Sequence, residues 1–208
     1  MIFLLLSLFA FFSPIQAVES PAPLIVLDPG HGGSADGAKI FPVMEKRIAL
    51  FTAVRTKKAL EELGYRVFLT RSRDRFVDLD ERVAMANRVD AALFVSIHFN
   101  SAPNPAAHGI EVYYFNEKTS QRTKASKQLA IEVLKATTRN TSAFPRGARP
   151  GNFYVVRETK KMPAILFEGG FLTNEPERNK LADKKYLKSL AQGIAEGIHS
   201  YFENAPKY

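Results

Sequence analysis

The sequence predicts a single α/β domain: three layers, α/β/α, around a mostly parallel, twisted sheet of about six strands. Short apolar runs of strand length, most clearly at residues 24–27, 91–97 and 164–167, read as buried strands because turn-forming or polar residues bound them. Stretches with helical spacing lie between the strands, and such alternation along the chain is the pattern of an α/β sheet. A chain of 208 residues suits one domain and is long enough to bury a proper core.

The first seventeen residues are almost wholly apolar and uncharged, and residues 18–23 are polar and proline-rich. The apolar part, residues 1–12, is short for a bilayer span, and Ala17 offers a small residue at a cleavage point. Residues 1–17 therefore read as a secretory signal peptide, 18–23 as a linker, and 24–204 as the domain proper. No Lys or Arg precedes the apolar run, which leaves retention as an anchor, or a misassigned start codon, as alternatives.

Residues 24–33, LIVLDPGHGG, open the domain with a strand that stops at Asp28-Pro29-Gly30 and places His31 just beyond its C-terminal end. In an open α/β sheet that edge is where ligands bind. A helix follows over residues 45–63, with Leu50, Ala53, Val54 and Leu60 at helical spacing and Arg55, Lys58 and Glu62 on a polar face. Gly64 is its stop signal. Glu45 thus starts a helix near the strand ends, where a carboxylate also suits the helix dipole.

Residues 65–69 alternate into a second strand, 70–75 form a charged loop, and 80–88 form a short helix. The run 91–97 then ends in His98, followed by Phe99-Asn100-Ser101-Ala102-Pro103, a turn composition. The strand, helix, strand order predicts parallel neighbours joined by a right-handed crossover. Residues 110–115 are another strand, in which Glu111 alternates with Ile110 and Val112 and reads as structural. His108 reads as a surface loop residue.

Thr119 or Ser120 caps a helix running to about Thr137, with Leu129, Ala130, Val133 and Leu134 as its core stripe. A linker over 138–151 holds Arg146, Arg149, Pro145 and Pro150. Residues 152–157 read as a strand, and 164–167 as a strand ending directly in Glu168-Gly169-Gly170. The last helix, capped by Asp183, carries Leu187, Leu190, Ile194, Ile198 and Tyr201 on one face. His199 sits in its final turn, where it suits the helix dipole rather than a metal.

There is no cysteine, so an exported chain has no disulfide and stability comes from the core and any metal. The balance of 29 Lys plus Arg against 21 Asp plus Glu, a net charge of +8, favours polyanions: cell-wall polymers or anionic lipid head groups for an exported protein. Nucleic acid is not expected, because Arg71, Arg73 and Arg75 alternate with Asp74 and Asp78 and no nucleic-acid module signature is present.

Two buried strands each deliver one histidine to the same sheet edge. Zinc enzymes commonly complete such a pair with a carboxylate and keep a fourth position for water, and Glu45 is the best-placed carboxylate. LDPGHGG at 27–33, Glu45 opening a helix, LTRSRD at 69–74 and ERVAMAN at 81–87 form the first part of a longer pattern. SIHFNSA at 96–102, GIEVYYF at 109–115 and MPAILFEGGFLTN at 162–174 complete it. In that order these segments resemble the zinc-dependent N-acetylmuramoyl-L-alanine amidases of the Amidase_3 type.

The resemblance implies zinc held by His31, Glu45 and His98 at the C-terminal strand edge. It also implies Glu168 as general base and then acid, and hydrolysis of the amide joining N-acetylmuramic acid to L-alanine in peptidoglycan. Asn100 and Arg157 are the candidates for contacting substrate, although Arg157 equally suits a surface charge. Some relatives insert a regulatory helix over the zinc; one helix's worth of sequence after residue 115 leaves no room for it. No obligatory activator is therefore expected, no appended wall-binding module is seen, and the protein is read as a monomer located in the periplasm or outside the cell. A catalytically dead wall-binding module is disfavoured because all four key residues are present. A zinc peptidase acting on the stem peptide is the closer rival, since ligand types alone do not name the amide.

Overall fold

The computed structural model describes residues 21–118 and 120–204, so the expected signal peptide, residues 18–20 of the linker and the Thr119 cap lie outside the described residues. The chain runs through β1 (Leu24–Pro29), a small ribbon of β2 (Lys39–Ile40) and β3 (Val43–Met44), α1 (Glu45–Glu62), β4 (Arg66–Leu69) and α2 (Leu79–Arg88). It continues with β5 (Leu93–Asn100), β6 (Ile110–Tyr114), α3 (Gln121–Thr141), β7 (Pro145–Pro150) and α4 (Tyr154–Glu158). β8 (Ala164–Phe171), α5 (Glu175–Leu181) and α6 (Lys184–Asn204) complete it.

Six strands form one sheet in the order β4-β1-β5-β8-β6-β7. The first four are mutually parallel, β6 runs antiparallel to β8, and β7 runs parallel to β6. The strands joined through α2 are parallel but not neighbours, because β1 lies between β4 and β5.

Uninterrupted apolar runs are explained by burial on both faces. Ile25, Leu27, Val95, Ile97, Ile165 and Phe167 face one layer, packing with Ala53 and Leu60 of α1, Val133 of α3 and Ile194 of α6. Val26, Phe94, Ala164 and Leu166 face the other, against Ala86 of α2 and Val155 and Val156 of α4. On the first face α3 and α6 approach closely: a Cβ on Gly193 would lie 2.5 Å from Thr137 Cα, and one on Gly197 2.4 Å from Val133 Cα.

Three local expectations are corrected. In α1 the buried stripe is Ile48, Ala49, Thr52, Ala53, Thr56 and Leu60, while Val54 is exposed and Leu50 half-buried. Small and hydroxyl residues here fit a close contact that a scan for large apolar side chains overlooks. The expected linker 138–151 holds the end of α3 and the whole of β7, an edge strand with its prolines at its ends, where ladder donors are dispensable. The expected strand 152–157 is instead the short helix α4, because burying both Val155 and Val156 beneath the sheet face outweighs their β propensity.

Candidate active site

β1 ends in a turn that holds His31 at φ +59°, a left-handed conformation uncommon outside glycine. Two buried arginines hold this turn through its carbonyls. Arg82 donates from Nη1 to Pro29 O at 2.7 Å and from Nη2 to His31 O at 2.7 Å. Arg71 donates from Nε to Pro29 O at 2.9 Å and from Nη2 to Gly30 O at 2.6 Å. Burial, and then the neighbouring Arg82 charge, lower the Arg71 guanidinium to about 10, so it stays charged at neutral pH. Asp28, wholly buried, receives Arg82 Nη1 at 2.7 Å, Thr70 Oγ1 at 2.5 Å and Ser96 Oγ at 2.7 Å.

Arg71 comes from the expected charged loop 70–75 and Arg82 from the expected short helix 80–88. Nothing in local composition separates a buried, fully bonded arginine from a solvated one. Arg82→Met is expected to destabilise the protein by about 3–5 kcal/mol, because it strands the buried Asp28 carboxylate and frees the Pro29 and His31 carbonyls. Urea unfolding measures this; a loss under about 1 kcal/mol would show that the turn holds without the pair.

The first residue of α1 is Glu45, anchored by its own N–H to Ala38 O at 2.9 Å. Its Oε1 lies 3.0 Å from His31 Nε2 and 3.0 Å from His98 Nδ1, and accepts the Phe99 N–H at 3.1 Å. Oε2 accepts the Ala38 N–H at 2.8 Å. The imidazoles meet edge to face with centroids 4.9 Å apart. One ligand atom from each of His31, Glu45 and His98 falls within 4.8 Å of the others. Burial opposes ionisation of Glu45, but hydrogen bonds from the two histidines outweigh it and hold the carboxyl well below the usual range.

Two imidazoles and an ionised carboxylate at this spacing fit a small divalent cation such as zinc. The backbone closes round them without a gap. A Cβ on Gly30 would sit 2.3 Å from the His98 ring, and one on Gly37 2.5 Å from Glu45 Oε2 and 2.7 Å from His31 Cδ2.

β8 runs beyond its apolar run to Phe171, so Glu168 sits within the strand rather than after it. There it pairs in register with His98 on one side and with Glu111 on the other, giving a row across three strands. Its Oε2 is buried and has no hydrogen-bond partner among the described residues. Burial, reinforced by the charges of Glu45 and Glu111, pushes its carboxyl well up. An orphaned buried carboxylate oxygen beside three potential metal ligands is poised to meet a water or a substrate.

Glu111 has the opposite environment. It accepts Asn100 Nδ2 at 2.6 Å, Tyr113 OH at 2.8 Å and Arg146 Nε at 2.9 Å. Burial opposes its charge, but the bonds from Arg146 and Tyr113 prevail and its carboxyl is lowered. Neighbouring carboxyls driven apart in this way are a mark of acid–base sites. The alternation along β6 correctly separates Glu111 from Ile110 and Val112; that it joins Glu168 follows only from the pairing of β6 with β8.

Asn100 lies at the end of β5 with its amide committed to Glu111. Arg157 is not brought to the row. It lies in α4, pairs with Glu158 at 2.8 Å, donates to Asn152 Oδ1 at 2.7 Å and covers the Tyr154 ring. Arg146 and Arg149, on the strand that the sequence presents as linker, are the arginines beside the carboxylates. His108 is exposed, and His199 lies 2.8 Å from Tyr65 OH, both away from the cluster. On the α2 and α4 side of the histidines opens a largely apolar cleft of about 370 Å³, lined among others by Phe76, Val77, Leu79, Phe153 and Leu166.

The family model described as N-acetylmuramoyl-L-alanine amidase, Amidase_3, matches residues 25–200. The chain is 36% identical over 178 residues to the N-acetylmuramoyl-L-alanine amidase LytC of Bacillus subtilis, covering 86% of this chain and 35% of LytC. It spans only 53–58% of several other curated relatives. Among solved structures, an N-acetylmuramoyl-L-alanine amidase from Clostridium difficile 630 is 36% identical, with a TM-score of 0.83 over 89% of this chain and 100% of that one. The CwlD amidase of Clostridioides difficile, solved in complex with the GerS lipoprotein, is 28% identical with a TM-score of 0.81 over 87% and 98%. With the family model covering nearly the whole described domain, this chain belongs to the Amidase_3 family of N-acetylmuramoyl-L-alanine amidases.

Proposed function

We propose that the protein is a zinc-dependent amidase that hydrolyses the bond between N-acetylmuramic acid and L-alanine in peptidoglycan, for wall remodelling or cell separation. The observation that carries this reading is the His31, Glu45 and His98 cluster with the unpartnered oxygen of Glu168, the residue in register with His98. His31, Glu45 and His98 hold the metal. When bound, zinc supplies Lewis acidity at the scissile carbonyl and acidifies water.

The protein's own groups do the rest. Glu168 takes a proton from the attacking water as its oxygen bonds to the carbonyl carbon, then delivers that proton to the departing alanine nitrogen as the C–N bond breaks. Glu111, kept ionised by Arg146, borders Glu168 on the side away from His98. Asn100 acts by holding Glu111. Mass analysis of muropeptides after digestion tests the reading: free stem peptides with an L-alanine amino terminus support it, whereas cuts inside the stem identify a peptidase.

The same reading extends to where the protein works. Residues 1–17 serve as an export signal, and no described helix is long and apolar enough to cross a membrane. The +8 charge then draws the domain to anionic wall polymers. α3, the helix between β6 and β7, lies against α6 rather than over the histidines, which supports activity without a partner. Purified sacculi are expected to be cleaved by the domain alone, and its sedimentation with them to weaken as salt rises from about 50 mM to 500 mM. Cleavage only after adding a candidate lipoprotein would remove the first expectation; salt-independent sedimentation would remove the second.

A further inference from the structure

The two sides of the His98–Glu168–Glu111 row differ in chemistry. Towards α2 and α4 lies the apolar cleft, with Phe76, Leu79 and Phe153 all partly exposed. Towards β6 and β7 lie Arg146 and Arg149. Arg146 is committed: Nε bonds Glu111, Nη1 bonds His108 O at 3.2 Å, and the guanidinium covers the Phe171 ring at 4.8 Å. The charge of ionised Glu111 is thereby balanced, and Arg149 is a second positive charge beside it.

The side chain of Arg149 is 49% exposed, with Nη1 3.9 Å from Glu111 Oε2, beyond hydrogen-bond reach. Nε and Nη2 each donate to Arg146 O, at 3.0 and 2.6 Å, which fixes the plane of the guanidinium. Nη1 is left with only this longer ion-pair contact to Glu111 and no hydrogen bond among the described residues. A held, solvent-facing guanidinium is the preferred receptor for a carboxylate.

We infer that Arg149 receives a carboxylate on the peptide side of the substrate, so that the stem peptide crosses Glu111 and the uncharged sugar occupies the apolar cleft. The inference rests on the amidase reading and adds a direction to it. Strands in a sheet are about 4.8 Å apart, so Glu111 stands about 10 Å from His98. Two extended residues reach about 7 Å, which brings the second residue of a peptide cleaved between His98 and Glu168 over Glu111, whose Oε2 lies 3.9 Å from Arg149 Nη1. In a stem peptide linked through the side-chain carboxyl of its second residue, a D-glutamate, the α-carboxylate of that residue is free to meet a cation.

The test compares N-acetylmuramoyl-L-alanyl-D-glutamate with the same compound bearing an α-carboxamide. The wild type is expected to prefer the acid about tenfold or more, chiefly through KM. Arg149→Gln should abolish the preference by raising KM for the acid towards that for the amide, and Arg149→Lys should retain part of it. Calorimetry with L-alanyl-D-glutamate and L-alanyl-D-isoglutamine reads the same contact without turnover. Equal handling of acid and amide by the wild type, or an unaltered preference in Arg149→Gln, overturns the inference. Absence of cleavage of any muramoyl amide overturns the amidase reading instead, while discrimination in calorimetry still decides the carboxylate contact.

Discussion

Glu168→Gln is expected to lower turnover by about 10²- to 10⁴-fold, the range that a positioned proton-transfer group contributes, while the protein still binds one equivalent of zinc. Glutamine matches the shape of glutamate, and the affected oxygen, Oε2, holds no hydrogen bond that the fold depends on. Loss of proton transfer is therefore separated from loss of structure. Zinc content by elemental analysis, beside turnover on purified muropeptides, makes the distinction. Loss of zinc in this variant would place Glu168 among the ligands, and undiminished turnover would remove it from the reaction.

The same substitution has an opposite effect on the stability of the metal-free protein. A buried carboxyl whose pKa is raised in the fold binds its proton more tightly there than in the unfolded chain. Stability therefore falls as pH rises from the ordinary carboxylate range towards the raised value. Glu168→Gln removes that slope, so the chelated variant should be at least as stable as the chelated wild type at neutral pH. A variant markedly less stable than the wild type under these conditions would contradict the raised value.

His98→Ala and His31→Gly are each expected to weaken zinc binding by well over 100-fold, more than loss of an outer-shell partner alone costs. In His98→Ala the carboxylate of Glu45 loses a neighbour at 3.0 Å and the cluster keeps only two ligand groups. Glycine is the better replacement at His31, because it removes the imidazole while tolerating φ +59°. Chelator competition gives the affinities. As a second readout, zinc at 100 times the wild-type dissociation constant should stabilise the wild type by about 2.7 kcal/mol and each variant by less than about 0.4 kcal/mol. Stoichiometric zinc in either variant, or wild-type turnover that survives chelation, would overturn the ligand assignment.

Much of the architecture is legible in local sequence because a buried strand declares itself within a few residues. β1, β5 and β8 each contain a short apolar run that gives way at or near a residue of the candidate site: His31, His98 and Glu168. The helix start at Glu45 and the stop at Gly64 follow from dipole and turn chemistry of the same short range. β7 and α4 are missed for a converse reason. A proline-ended edge strand has little apolar signal, and a five-residue helix with adjacent valines has a strand's composition.

The sequence by itself therefore determined the α/β class, the central strands and the delivery of two histidines and two glutamates to one edge, since apolar period and turn residues act locally. Only the tertiary structure decided who stands beside whom. The antiparallel entry of β6 sets Glu111 against Glu168, the edge position of β7 brings Arg146 and Arg149 to it, and the winding of α4 takes Arg157 away. It also decided that Arg71 and Arg82 are interior residues holding the His31 turn. Strand order and the burial of a charged side chain depend on contacts between residues dozens of positions apart, where no short-range pattern in the chain records the outcome.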